Sequence, residues 1–553
     1  MQLYCMVSAF RLKLRLSGSA RRDDYQSAFE NAMSILRRTP LLGLCPIGKF
    51  VFSHKDAMRQ KTLLVEQLQR LGVSYVDIEE VVPDGLVRDQ SHVGAVVEHF
   101  RRQGIDALFI PHCNFGTEGA AALIAKQCGV PTLLWAPRDE APLPDGSRLR
   151  DSLCGTLATS GVLRTLRVPF SYISTCRVDE PEFAEGFDRF MRAARVVKSL
   201  KTMRIGQIGQ RIDFFWSTII DEADLLQRFG VQVLPIDMVE LLAKIRRRTE
   251  QNRDAYIEEL HGFEQWIDFN HFSGEDQILY NFAFRDIALE LAEQYDLDGF
   301  CLQGFNSVPE EMGAFLAFGC SLIADKGYPV APESDLLGAV SSIMLEAARA
   351  SDSPSFLPDI TIRHPDNPNA MLLWHGDAPL SLRASDAHVK VDLPWILKSL
   401  PTGLVHFKLK DGPLTVARFA GSSGEYRFGC GEGRSVEGPY TQEFYTWCEV
   451  DDWPTWERQL IEGPYIHHCS CVHEHCADVF EEAARFLPDL KVERFGLAKQ
   501  QLQAAGTIER AVERTSSPAA VASTVDPGSK PNKGEHTLAG PHRSKAGGYD
   551  IVQ

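Results

Sequence analysis

At 553 residues the chain is too long for one hydrophobic core, and at about 150 residues per domain it predicts three domains plus appendages. Apolar residues at 44% and charged residues at 24% are the balance of an ordinary globular protein, and no run approaches the roughly 18 apolar residues of a membrane span. A formal net charge of -16 argues against nucleic acid as a partner and suits a small neutral ligand.

The 13 cysteines are odd in number and scattered, and no secretory leader precedes them, so reduced thiols in the cytoplasm are expected rather than a disulfide framework. Residues 1–38 form a basic N-terminal arm. Its Arg11, Lys13, Arg15, Arg21 and Arg22 precede the first acid, Asp23, a faint echo of a transit peptide for which a simple basic arm is the plainer explanation.

From Leu41 the pattern alternates: strand Leu41 to Cys45, helix Ala57 to Leu71, strand Tyr75 to Val82, helix Val93 to Gln103, strand Ala107 to Pro111, helix Thr117 to Cys128 and strand Thr132 to Trp135. Such βαβ units predict a parallel sheet with helices on both faces, a first Rossmann-like domain over 39–175. A second, over 176–350, opens at Arg204-Ile-Gly-Gln-Ile-Gly-Gln-Arg211, whose glycine spacing fits a tight turn better than a phosphate cradle. It continues through a helix Ile219 to Phe229, a strand Val231 to Pro235, a long polar helical stretch from Met238 to about Gln265, a strand Leu297 to Gly304 and a helix Pro309 to Asp325. After about Ser351, short runs divided by Pro and Gly, such as Leu404 to Lys408 and Leu414 to Ala417, predict an antiparallel β-barrel or sandwich over 351–505. Residues 506–553 are too poor in large apolar side chains to offset ordering entropy and predict a disordered tail.

Chemistry centres on Tyr328-Pro-Val-Ala-Pro-Glu-Ser-Asp-Leu-Leu-Gly-Ala-Val340. A strand ends at Pro332, Glu333 follows, and Leu336, Val340, Ile343 and Ala347 recur at helical spacing, so the carboxylate is predicted beside the positive end of a helix with Ser334 or Asp335 capping it. Alone, Glu333 is as readily a capping acid. Asp359 after Pro358 is as readily a turn residue, and His375 at the end of an apolar run a satisfied buried histidine. Of His467 and His468, strand alternation sends one ring to each face. Cys469, Cys471, His473, His475 and Cys476 could suggest zinc, but the spacing matches neither a knuckle nor a finger, leaving buried free thiols and surface histidines as the default.

Five fragments in one order, Gly327 to Ala339, Phe356-Leu-Pro-Asp359, Trp374-His375 with Ala378-Pro379, Gly431-Glu-Gly433 and Tyr465-Ile-His-His468, resemble the L-fucose isomerase family and its L-arabinose isomerase relatives over roughly Leu41 to Phe495. The resemblance implies a metal-dependent aldose–ketose isomerase with two Rossmann-like domains and a C-terminal β-barrel. It also implies a divalent cation (manganese, or magnesium), a sugar substrate and a homo-oligomer, trimer or hexamer. Glu333 and Asp359 take the acid/base and metal-ligand positions, His468 the late histidine ligand, His375 a ligand or substrate contact, and Gln303 a substrate contact. The loop after His375 reads Gly-Asp-Ala-Pro, one residue shorter than in similar members. The chemistry fits: isomerisation passes through an enediol whose charge a divalent cation stabilises while two carboxylates move protons. A non-catalytic carbohydrate-binding or regulatory homologue is the alternative.

Overall fold

Short strands alternating with helices, two of them closed by Gly104 and Gly129, build the first layer of the computed structural model, which describes residues 39–396 and 399–496. The predicted basic arm and polar tail lie outside the described residues. β1 (Leu42–Leu44), β2 (Tyr75–Val76), β3 (Ala107–Pro111), β4 (Thr132–Trp135) and β5 (Ser171–Tyr172) pair in the order β2-β1-β3-β4-β5, all parallel. β3 and β4 are fully buried apolar runs, as a sheet covered on both faces requires. β2 stops at Val76 rather than continuing to Val82, because Asp77, Glu79 and Glu80 interrupt the apolar pattern.

The second parallel sheet contains β6 (Arg204–Ile208) and β7 (Gln232–Ile236), whereas β8 (Ile267–Phe269) leaves it to pair elsewhere; β9 (Gly299–Leu302) and β10 (Val330–Ala331) complete the order β10-β9-β6-β7. After β6 the chain turns at Gly209, with φ +74°; a Cβ there would lie 2.9 Å from Met238 Cε and 3.0 Å from Gln303 Cβ. This is a tight turn, not a phosphate cradle. The polar stretch from Met238 breaks at Asn252 into helices Met238–Gln251 and Arg253–Phe263. The helix expected over Pro309 to Asp325 is two, Ser307–Met312 and Ala317–Asp325, parted at Gly313 with φ +68°. The helix at 219–229 begins only at Glu222, where Asp221 accepts from the Asp224 amide.

Beyond Ser351 lie β11 (Asp359–Arg363), β12 (Ala370–His375), β13 (Val389–Asp392), β14 (Leu404–Lys408), β15 (Pro413–Ser422), β16 (Glu425–Val436), β17 (Phe444–Val450), β18 (Ser470–Val472) and β19 (Leu490–Arg494). With β8 they make a ten-stranded mixed sheet along β18-β15-β16-β17-β14-β13-β8, with β12 and β11 branching from β17 and β19 from β16. Two further bridges, Phe356 with Cys471 and Asp359 with His468, bring the start of β11 against the segment leading into β18. There the Ile360 amide donates to the His467 carbonyl at 2.9 Å and the Cys469 amide to the Pro358 carbonyl at 2.9 Å.

Between the second and third sheets runs the helix Leu336–Ala348, buried at every residue and apolar on almost all sides, as a helix packed between layers must be. Its few polar groups are matched: Ser341 Oγ accepts from the Phe419 amide at 2.8 Å, and Ser342 and Ser470 share a hydrogen bond at 2.9 Å. This helix fixes Glu333 and Asp335 near the start of β11, which carries Asp359, and the segment before β18, which carries His468. No helix among the described residues is long and apolar enough to cross a membrane.

Candidate metal and substrate site

The strand-to-helix junction differs from the sequence expectation in a way that creates the site. Pro332–Ser334 forms one 3-10 turn in which Glu333 (φ +60°) and Ser334 (φ +56°) are both left-handed, a conformation that costs a side-chain-bearing residue about 1–2 kcal/mol. Glu333 is therefore displaced from the helix start and is not a capping acid. Asp335, at the N-cap position, makes no side-chain cap either. The Ser334 hydroxyl instead donates to the Gln210 carbonyl at 3.1 Å, pinning the turn to the second sheet's loop.

These departures aim three carboxylates at one imidazole. His468, with none of its side chain exposed, has Nδ1 3.0 Å from Asp335 Oδ2, Nε2 3.1 Å from Glu333 Oε2 and Nε2 3.6 Å from Asp359 Oδ1. Burial disfavours its charged form, but the hydrogen bonds to Asp335 and Glu333 outweigh that and raise its pKa to about 10. Asp335 is fully buried and also takes a two-pronged ion pair from Arg418. Against burial, which raises it, the Arg418 charge and the bond to His468 hold its carboxyl far below the usual range. Glu333 is likewise kept ionised: burial raises its pKa, yet His468 and His375 bring it below normal.

His375, at the end of β12, has Nε2 4.0 Å from Glu333 Oε1 and Nδ1 3.6 Å from Asp377 Oδ1, its side chain 12% exposed. Burial lowers its pKa, but Asp377, Asp359 and Glu333 more than reverse this, to about 9. Ligand atoms of Asp359, His375 and His468 lie within 4.8 Å of one another, as do those of Glu333, His467 and His468. Asp359 Oδ1 is buried with no hydrogen-bond partner, the condition of a group built for an ion. Carboxylate oxygens with imidazole nitrogens and no thiolate are a donor set for a divalent cation.

His467 overturns the alternation expectation. Its segment is a bend rather than a regular strand, so its ring stays on the His468 side, centroid to centroid 4.2 Å, and lines the adjoining cavity. That cavity, about 320 Å³, is bounded by Glu333, Asp359 and His375 on one side and by rings of Phe215, Phe305 and Trp374 on another. Gln303 follows β9 between two lining residues, Leu302 and Gly304; its own side chain is 9% exposed, with Oε1 buried and unpaired. The cysteine–histidine cluster holds no metal geometry among the described residues. His473 and His475 bond the carbonyls of Lys410 and Gly433 at 2.9 and 2.8 Å, and His473 is buried rather than on the surface.

An α/β fold with two Rossmann-like parallel sheets, a mixed C-terminal sheet and a Glu/Asp/His cluster at a cavity is consistent with a metal-dependent sugar isomerase. Residues 43–201 match the family model for the fucose/sulfoquinovose isomerase N-terminal domain. A sulfoquinovose isomerase of Alkalicoccus urumqiensis is 25% identical over 399 residues, covering 70% of this chain and 86% of that protein. One from Priestia megaterium is 23% identical over 372 residues, covering 65% and 79%. These matches support membership in the fucose/arabinose isomerase superfamily, a broader grouping than the L-fucose and L-arabinose isomerase families themselves. A solved ABC transporter solute binding protein from Actinobacillus succinogenes 130z, with bound D-allose, covers 49% of this chain and 80% of its own at 13% identity and a TM-score of 0.15, too slight a likeness to inform the fold.

Proposed function

We propose that the protein is a metal-dependent aldose–ketose isomerase acting on a free sugar or sugar derivative. The observation that carries this is the meeting of Glu333, Asp359 and His468 around a buried, unpartnered carboxylate oxygen beside a sugar-sized cavity. Glu333, Asp359 and His468, with His375 a fourth donor, would hold one divalent cation, manganese or magnesium. Bound there, it supplies charge stabilisation for the enediol that links aldose and ketose.

The chain's own groups do the rest. One of Glu333 and Asp359 takes the proton from C2 of the aldose and returns it to C1, while the other moves the hydroxyl proton between O1 and O2, so that no atoms are gained or lost. His468 keeps Nε2 toward both acids because Asp335 holds Nδ1. Phe215, Phe305 and Trp374 exclude water from the reacting carbons, and Gln303 contacts the sugar. The bridge that joins β11 to the segment before β18 supports regarding the C-terminal sheet as a small barrel, with domains over 39–175, 176–350 and 351–505. A cytoplasmic homo-oligomer, trimer or hexamer, completes the proposal. The superfamily match favours this over a purely carbohydrate-binding homologue, which has no need of two carboxylates within reach of one ion.

The test is an aldose panel, sulfoquinovose, fucose and arabinose included, run on chelator-treated protein with and without manganese in heavy water. Ketose should form only with the cation, carrying deuterium at C1, and should form about 10²–10⁴-fold more slowly in Asp359→Asn. Cation binding unaffected by Glu333→Ala would refute the site.

A further inference from the structure

The proposed cation has four donors, and a fifth side chain stands beside them. His467 is exposed, and it lines the cavity together with Glu333, Asp359 and His375. Among the described residues nothing hydrogen-bonds its ring. Its backbone, by contrast, is fixed: the His467 carbonyl accepts from the Ile360 amide at 2.9 Å, and the bridge between Asp359 and His468 follows at once. The bend at 467 therefore carries both rings of the pair to the cation side, with centroids 4.2 Å apart and planes at 62°.

Two sets of ligand atoms are each gathered within 4.8 Å, Glu333 with His467 and His468, and Asp359 with His375 and His468. They make one site. His468 belongs to both sets, Asp335 holds its Nδ1, and its Nε2 faces Glu333 at 3.1 Å and Asp359 at 3.6 Å, so a single nitrogen is common to the two. One imidazole nitrogen binds one ion. The ring positions agree. With imidazole nitrogens about 2.1 Å from an ion, ring centres sit about 3.2 Å from it, and two rings on one ion have centres at most about 6.4 Å apart. The His467 and His375 ring centres lie 4.2 and 6.2 Å from that of His468. The number of imidazoles matters for the choice of ion. Magnesium keeps several waters and takes one or two carboxylates, whereas imidazole nitrogens suit first-row ions such as nickel and zinc.

We propose that His467 is a fifth ligand of the cation, and that this third imidazole makes the site select a transition-metal ion over magnesium. The proposal rests on the isomerase reading for the presence of the cation, but it is read out by metal affinity in the absence of any sugar. Full-length, chelator-treated protein is titrated calorimetrically with nickel and, in competition, with magnesium. Nickel is expected to bind about 100-fold tighter or more, and His467→Ala and His467→Gln should each weaken it about tenfold or more. The His467→Gln variant keeps a hydrogen bond for a sugar but not the imidazole nitrogen, so it separates a ligand from a sugar contact. Nickel affinity within about threefold of wild type in either variant, or magnesium bound as tightly as nickel by the wild type, overturns the proposal. A crystal structure of the nickel-loaded wild-type protein needs no variant: a His467 ring nitrogen should lie about 2.1 Å from the ion, and one more than about 3 Å away overturns the proposal. Loss of nickel affinity in both variants with no aldose converted leaves this proposal standing and sinks the isomerase reading. Ketose formation alongside undiminished nickel affinity in both variants does the reverse.

Discussion

His468 Nδ1 lies 3.0 Å from Asp335 Oδ2 across 133 residues of sequence, and the same carboxylate grips Arg418. This contact decides which imidazole nitrogen faces Glu333 and Asp359. With Nδ1–H donating to Asp335, Nε2 is left for the ion, as when a carboxylate orients a metal-ligating histidine.

Asp335→Asn should therefore lower divalent-cation affinity 10–100-fold, measured by calorimetry, with the protein still folded. Asp335→Ala goes further. It strands Arg418, only 3% exposed, without its counter-ion, and should lower unfolding free energy by about 3–5 kcal/mol in urea melts.

Gly338 sits one turn into the helix, where an added Cβ would lie 2.4 Å from Asp335 Oδ2 and 2.6 Å from Leu357 Cδ1. Gly338→Ala is expected to push Asp335 off His468, reducing stability by about 1–3 kcal/mol and cation affinity along with it. Unchanged affinity in a folded variant would mean that Asp335 does not orient His468.

Glu333→Gln and Asp359→Asn each remove one proton-transferring group while nearly preserving shape. Each should cut kcat by about 10²–10⁴. Alditol binding in the presence of manganese should suffer less than turnover, and an equal loss of both would assign these residues to binding alone.

The cation-free protein should weaken as pH rises. His468 and His375 have folded pKa values of about 10 and about 9, above the ordinary 6.5, so the folded state holds protons that the unfolded chain releases first. Their stabilisation is complete below pH 6.5 and is lost as pH climbs through 9 to 10. Thermal midpoints of chelated protein should fall across that window, more shallowly in His375→Gln. A midpoint that holds level from pH 7 to 9.5 would contradict it. Manganese competes with protons for these imidazoles, so its affinity should increase with pH.

The ends of strand-like runs singled out Glu333, Asp359, His375 and His468 as candidates, but taken alone each had a plainer use, and only the resemblance carried by the ordered fragments gave them roles at one cation. What they could not convey was how the chain closes around them. Asp335 looked like a helix cap because capping is the local use of such a residue, whereas its actual partners, Arg418 and His468, are distant in sequence. His467 was assigned to the wrong face because alternation presumes a regular strand, and its segment bends. The breaks at Asn252 and Gly313 were visible as residue types, but longer helical periodicity masked them.

The buried helix from Leu336 presses against β15 and β18, so the acid at its head and the imidazole it steadies meet across 133 residues of chain. A nascent polypeptide emerging from the ribosome thus carries Glu333 and Asp359 for more than a hundred residues of synthesis before the imidazole at position 468 can join them. In the proposed site, an ion held through His468 would be captured late in biogenesis, once the C-terminal strands have arrived.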